Sequence, residues 1–369
     1  MRALKFTLVI CTAAGFWQPL SWTSLFKHIV YKSYAMFLNS SLLVFAMSQF
    51  MNILLNVDNS DDLTDSLYMM LTVFVAGYKQ ICIWIDHKNI TEMINILNEK
   101  PFRPFESQEV TIRKKFDKMI QDNTMRYLIL VMVTVIAILV SSIWMDFTKG
   151  NLTYMAWVPF DYSGSIAFTL VFTHQMIGMA ASGLVNVACE SLVCGFLLQI
   201  CCQFEILEHR LTKITQGQDV LRDCIHHHNL VFEYASTLNN MFTKIIAVQF
   251  AVSMLVVCSN LYRIAMAEDY ASFIPLICYT NCMLAQIFIY CWFGNEVKLK
   301  SLHLTNNIYE MNWPVLNNNN KRSLLILMKR AMIPIEFSSA YIITMNLDSF
   351  VAVLKLSYST FNLLRQTHE

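Results

Sequence analysis

Charge is what this chain has least of. Lys, Arg, Asp and Glu make up 14% of its 369 residues, where soluble domains carry roughly a quarter. With 56% hydrophobic residues and a mean hydropathy of +0.44, the composition is that of a polytopic membrane protein. A net charge of +1 and the lack of any compact basic motif give nucleic acid nothing to bind. No nucleotide-binding glycine loop, hydrolase serine elbow, zinc-binding helix or intramembrane proteolytic pair occurs, so neither an enzyme nor a cofactor is expected. The 11 cysteines lie in or beside apolar segments and form no regular framework of loop cysteines, which makes them small core residues rather than disulfides. The 25 Phe and 22 Met suit a helical bundle with an adaptable apolar cavity, and equally suit plain packing.

Hydropathy predicts seven spans: Tyr34–Asn56, Leu67–Ile85, Tyr127–Phe147, Ser165–Cys189 with a helical continuation, Met241–Tyr262, Phe273–Phe293 and Ala340–Leu364. The fourth, sixth and seventh are the least apolar. Lys and Arg are scarce in alternate loops. The segment VDNSDDLTD after the first span has four Asp and no Lys or Arg, and only Lys149 and Arg263 follow the third and fifth spans. The loop after the second span holds Lys88, Lys100, Arg103, Arg113, Lys114, Lys115 and Lys118. Arg210, Lys213 and Arg222 follow the fourth, and Lys298, Lys300, Lys321, Arg322, Lys329 and Arg330 the sixth. The positive-inside bias therefore puts the N-terminus in the cytoplasm and the C-terminus outside. Asn151-Leu152-Thr153 is then a glycosylation sequon in an outer loop, whereas the sequons at Asn39 and Asn89 fall in a span and in a cytoplasmic loop.

The cytoplasmic loops are themselves predicted to be helical. In KNITEMINILNEKP, Ile90, Met93, Ile94 and Leu97 share one face. NEVKLKSLHLTNNIYEMNW continues the sixth span, and a polar loop NNNNKR precedes a short amphipathic helix LLILMKR. The stretch before Pro19 reads either as a secretory leader or as a retained cytoplasmic or interfacial helix. His226, His227 and His228 stand about 100° apart on a helix, so a shared metal sphere is not expected and a helix cap or a packing contact is. Lys79 and Lys244 are expected to snorkel to the headgroups, and Glu190 to pack against a neighbouring helix.

The last segment, Ile335 to Gln366, is long enough to span yet interrupted by polar residues throughout. Positions 355, 359, 362 and 366 recur at helical spacing as a hydrophilic stripe. Ionisable groups facing lipid at mid-membrane cost at least about 2.5–3.5 kcal/mol each, so Asp348 and Lys355 should face protein or water. The stripe suits a water-filled path shared between subunits. A helix buried among its own chain's neighbours is the alternative.

Seven spans first suggest a metabotropic receptor, but the loops rich in Lys and Arg are the wrong ones for that class. The third span ends SSIWMDFTKG without an Asp-Arg-Tyr box, and the seventh lacks Asn-Pro-x-x-Tyr. With these segments in this orientation, the chain instead resembles the insect odorant receptors over essentially its whole length. AQIFIYCWFGNEVKLKSLHLTNNIYEMNW is similar to that family's sixth-span signature through Gln286, Tyr290, Cys291, Gly294, Asn295, Ser301, Tyr309 and Trp313. MNLDSFVAVLKLSYSTFNLL is similar to its final-helix motif through Leu347, Phe350, Leu354, Lys355, Ser357, Tyr358, Ser359, Leu363 and Leu364. Gly15, Trp17 and Pro19 match its N-terminal pattern, which weakens the leader reading, and Gln203, Leu207, Arg210 and His228 match its fourth helix and following loop.

The resemblance implies an all-α membrane protein with a cytoplasmic or interfacial segment over 1–33, a six-helix bundle over 34–295, cytoplasmic anchor helices over 296–335, and a pore-lining helix with a short tail over 336–369. It implies a tuning subunit that assembles with a conserved co-receptor into a tetrameric, ligand-gated, nonselective cation channel in the plasma membrane of olfactory neuron dendrites. The co-receptor's long insertion in the second cytoplasmic loop is missing here. The implied gate is Leu363, with Gln366 beside it and Ser359 and Asn362 along the wall; Arg365 and Thr367 depart from the co-receptor's pattern. The implied pocket for a small volatile molecule lies in the outer half of the bundle, with Met70, Val73 and Phe74; Ala137, Val140 and Trp144; Phe172, His174 and Ile177; and Tyr279, Thr280 and Met283 as candidates. A gustatory-type receptor channel is the alternative within the same architecture. Epitope tags at the two ends test the orientation. Only a C-terminal tag should stain on intact cells, and an N-terminal tag visible without permeabilisation overturns it.

Overall fold

Long apolar runs with few breakers fold as long helices, since in a bilayer every backbone group needs a partner within its own segment. A computed structural model describes residues 4–368 apart from 20–21, 23, 57–59, 215–217, 267–269, 311–312, 314–315 and 340–342. The described elements are α1 (Lys5–Ala13), α2 (Leu25–Asn56), α3 (Ser60–Ile85), α4 (His87–Ile96), α5 (Ser107–Met145), α6 (Ser165–Leu211), α7 (Gln218–Met266), α8 (Tyr270–Glu310), α9 (Asn318–Ala331) and α10 (Leu347–His368), with a hairpin of β1 (Ser338–Ser339) and β2 (Ile343–Thr344) before α10. Six helices, α2, α3, α5, α6, α7 and α8, are long and apolar enough to cross a membrane. With 22 residues α10 also has the length.

The 39, 47, 49 and 41 residues of α5, α6, α7 and α8 rise about 1.5 Å each, so these helices run to roughly twice the thickness of the hydrocarbon core. Their surplus halves, with α4 and α9, build the anchor layer expected from the loops. The centre of the protein is α6, which packs against α1, α2, α3, α5, α7 and α8 and is buried over 94% of its most apolar stretch. A helix without a lipid face can carry polar residues such as Ser182, Asn186 and Glu190 within its span. Yet its most apolar stretch, at a mean hydropathy of 1.8, exceeds those of α2 and α3 at 1.4, so the fourth span is not, as expected, among the least apolar.

In the anchor layer Arg210, near the end of α6, joins three pieces of chain. Its guanidinium donates to both oxygens of Glu109 on α5 (2.8 and 2.9 Å) and to the carbonyls of Pro101 (2.7 Å) and Arg103 (3.2 Å). Glu109, only 2% exposed, also accepts the Phe105 N–H. His227 and His228 lie well inside α7 and are buried, His227 against Gln203 (3.0 Å) and Phe102, His228 against Phe232. They are packing contacts rather than a helix cap. All 11 cysteines are free thiols.

The N-terminal stretch packs into the bundle. In α1, Leu8, Ile10 and Cys11 are buried, and α1 lies against α6. Gly15, at φ +82, takes the left-handed conformation just beyond its end. Trp17 is then held by the Tyr31 hydroxyl, which accepts its N–H (3.1 Å) and donates to its carbonyl (3.0 Å). His87 stacks on Trp17, and burial there lowers its pKa.

Two expected boundaries are corrected. Asn318 already lies in α9, because Asn317 caps that helix by accepting the Asn320 N–H (2.8 Å), so most of NNNNKR is helix rather than loop. The last helix starts at Leu347, not at Ala340. Before it, the Ser338 N–H donates to the Asn239 side chain and the Ser339 hydroxyl to the Thr243 carbonyl, which ties the hairpin to α7. Asn346 then caps α10 through the Ser349 N–H (2.8 Å). Gly294 of α8 lets this turn sit close, since a β-carbon there would stand 2.5 Å from the Met345 carbonyl oxygen.

Arg210→Ala leaves the buried Glu109 carboxylate without its cation and should destabilise the fold by about 3–5 kcal/mol, read as a lower melting temperature of the solubilised protein. Arg210→Lys should fall between, because an ammonium cannot reproduce the planar fork.

Candidate ligand cavity and buried ion pair

Small polar residues within membrane helices turn away from lipid. Thr72 on α3, Thr134 on α5, Ser182 and Asn186 on α6 and Gln286 on α8 converge on one cavity of about 40 Å³. Its apolar wall includes Val131 and Ile138 of α5 and the methionines Met69, Met179 and Met283. Tyr279 closes one side. Its hydroxyl is hydrogen-bonded to Thr72 Oγ1, which in turn donates to the Tyr68 carbonyl (2.9 Å). Beyond Tyr279 a second cavity of about 190 Å³ shares Tyr279 and Ile138. It includes Asp146 and Tyr154, at the end of the bundle away from the anchor layer, and Arg263, whose guanidinium lies 4.2 Å from the centre of the Tyr68 ring.

Occupied small-molecule pockets run to roughly 300 Å³ and more, so the inner cavity is contracted as it stands. Three of its wall residues are methionines, whose unbranched side chains rearrange readily around a guest.

On the anchor side of this cavity lies an ion pair. Lys79 Nζ of α3 is 2.7 Å from Glu190 Oε1 and 2.8 Å from Asn186 Oδ1, both on α6. The two charged side chains are 0% and 1% exposed. Lys79 therefore does not snorkel to the headgroups as expected: a partner one helix away is nearer than the membrane surface. Lys244 is exposed, and Glu190 packs against a neighbouring helix as expected. Asn186 belongs to both features, lining the cavity and bonding Lys79. A third space of about 190 Å³, between α5, α6 and α8, reaches Glu190 from the other side and shares Tyr127 with the cavity.

Of the twelve candidate pocket residues, Tyr279 and Met283 line the inner cavity. Val73 and Thr280 are buried in helix packing, and Phe172 stacks on Phe147. Met70, Ala137 and His174 are half-buried. Phe74, Val140, Trp144 and Ile177 are exposed on the outside of the bundle, Trp144 by 78%. The difference is one of angle. The residues at the cavity are Met69, Thr72 and Ile138, each a single position from Met70, Val73 and Ala137, and one step along a helix turns a side chain by about 100°. Isolated Thr, Ser, Asn and Gln within the spans carried the signal that picks the inward face.

The expected pore residues lie on α10. Phe350, Val353 and Ser357 face the bundle, where Phe350 meets Phe288 of α8 at 5.4 Å between ring centres and Ser357 is 1% exposed. Asp348, Lys355 and Ser359 are exposed and Asn362 is half-buried. The side chains of Leu363 and Gln366 lie outside the described residues. Asn151 is exposed in the loop between α5 and α6.

Comparison with known proteins bears on this arrangement. The family model described as 7tm Odorant receptor matches residues 59–358. Odorant receptor 46a, isoform A, of Drosophila melanogaster is 26% identical over 343 residues, covering 89% of this chain and 88% of that receptor. Odorant receptor Or1 of Anopheles gambiae is 22% identical over 352 residues, covering 84% and 82%. The solved structure of the insect olfactory receptor OR5 from Machilis hrabei in complex with eugenol shares the fold, with a TM-score of 0.86 at 15% identity over 99% of this chain and 97% of that one. A second solved structure of the same receptor gives 0.87 over the same coverage. With the family match running over most of its length, this chain belongs to the insect odorant receptors, a family of seven-helix membrane receptors and not of enzymes.

Proposed function

We propose that the chain is an odour-specific subunit of a ligand-gated, nonselective cation channel. A small volatile molecule occupies the cavity among α3, α5, α6 and α8, and α10 lines a pore shared with a conserved co-receptor in a tetramer. The assembly sits in the plasma membrane of olfactory neuron dendrites, with the N-terminus cytoplasmic and Asn151 available for glycosylation outside. The observation that carries the reading is the two-sidedness of α10. One face is held by α7 and α8, while the other leaves Lys355 and Ser359 exposed. A charged side chain on a bare lipid face is costly, so that face calls for water or a partner subunit. In this reading Ser359 and Asn362 line the conduit, and Leu363, beside Gln366, forms a constriction that excludes water until α10 moves outward.

The hairpin couples the two sites. It is tied to Asn239 and Thr243 of α7 and rests on Gly294 of α8, the helix that also bears Tyr279, Met283 and Gln286. A ligand that spreads the contracted cavity displaces α8, and with it the start of α10. It opens the pore to the extent that it binds the open state better than the closed one.

Two experiments on the complex with the co-receptor test this. Met283→Trp overfills the cavity and should weaken odorant sensitivity about tenfold or more, measured as ligand-evoked current at equal surface delivery; an unchanged dose–response over a broad volatile panel removes the cavity from the mechanism. Leu363→Ala should raise the resting leak and Gln366→Glu alter ion permeability. Unchanged leak and permeability in the two variants take these residues out of the conduction path.

A further inference from the structure

Few polar protons around the inner cavity are left free to meet a guest. Thr72, Thr134 and Ser182 spend their hydroxyl protons on the carbonyls of Tyr68, Leu130 and Met179, one turn back on their own helices. Asn186 is oriented by Lys79, because an ammonium only donates, so the amide oxygen must face Lys79. What Asn186 keeps for the cavity is its amide N–H₂, polarised further by the charge on its oxygen. Tyr127 is 4% exposed, and its hydroxyl oxygen faces Gln286 while its proton has no acceptor within hydrogen-bond distance. A buried hydroxyl proton without an acceptor is an uncommon arrangement in a protein interior.

From this we infer that the cavity selects compact volatile molecules whose single polar group is a hydrogen-bond acceptor, a ketone, aldehyde or ester carbonyl, held by the Tyr127 hydroxyl and the Asn186 amide. The inference rests on the reading of this cavity as the odorant site and adds the chemical class of its ligand. An alcohol of the same shape also has to place its own proton against a lone pair of Thr134 Oγ1 or Ser182 Oγ, which constrains its orientation more than a carbonyl's. A hydrocarbon leaves the Tyr127 hydroxyl unsatisfied. The methionine wall sets few demands on the rest of the molecule, so the carbonyl rather than the carbon skeleton determines recognition.

Matched triplets test this on the complex with the co-receptor: cyclohexanone, cyclohexanol and methylenecyclohexane, and acetophenone, its secondary alcohol and alpha-methylstyrene. Each ketone should evoke current at a concentration roughly tenfold lower than its methylene counterpart, with the alcohol between. Tyr127→Phe removes a hydroxyl whose proton has no acceptor within hydrogen-bond distance, so it should reach the surface normally, and it should narrow the ratio between ketone and methylene compound several-fold. Equal potency within both triplets, a ratio unaltered in Tyr127→Phe, or silence towards both ketones while other volatiles evoke current would each overturn the acceptor assignment and leave the channel reading standing. Silence towards every volatile with the complex at the surface would overturn both.

Discussion

Lys79 is charged, fully buried and held in the middle of a membrane bundle by two residues of one neighbouring helix. An ammonium facing lipid at that depth costs at least about 2.5–3.5 kcal/mol, and removing one member of a buried pair costs about 3–5 kcal/mol. The pairing with Glu190 and Asn186 therefore fixes how α3 and α6 face each other, in both rotation and depth. Residues one to three turns further along the same faces, Thr72 and Met69 on α3 and Ser182 and Met179 on α6, are thereby set opposite one another around the cavity.

The second constraint is the burial of α6. With helices on all sides, it can carry Asn186, Glu190 and Ser182 inside the membrane, the first two partnered by Lys79 of α3 and Ser182 by the Met179 carbonyl of its own helix. The polar groups are consequently gathered rather than scattered. The Gln249 amide bonds both Ser253 and Gln286 (2.6 Å each), linking α7 to the helix that lines the cavity. Fully buried Tyr290 stands beside the Glu190 carboxylate. The cavity is bounded on its anchor side by Asn186 and Gln286, each held by a hydrogen bond, while Met69, Met179 and Met283 lend an adaptable wall to the rest of its lining. In the anchor layer Arg210 has the corresponding part, gathering Glu109, Pro101 and Arg103 around one guanidinium.

Much of this was legible in the residues. Apolar length marked the helices, and the alternation of basic loops marked which halves share a layer. Ile90, Met93 and Ile94 gave the buried face of α4 correctly, and the polar stripe of α10 was visible from spacing alone. The cavity was legible in depth but not in angle: Ala137 and Ile138 are equally apolar, and only packing against α6 and α8 turns Ile138 inward and leaves Val140 and Trp144 outside. The start of α10 was misread because Ser338 and Ser339 continue an apolar run. Nothing local reveals that Asn239 and Thr243, a hundred residues earlier, hold them in a hairpin.

Composition and periodicity by themselves determined the membrane class, the number of long helices and the layer beneath them, because hydrophobic length and charge placement act along the chain. The tertiary structure alone decided that Lys79 pairs inward instead of reaching the surface, which face of each helix borders the cavity, and where the last helix begins. Those outcomes depend on groups far apart in sequence competing for the same partner, and only the packed arrangement determines which partner is nearest.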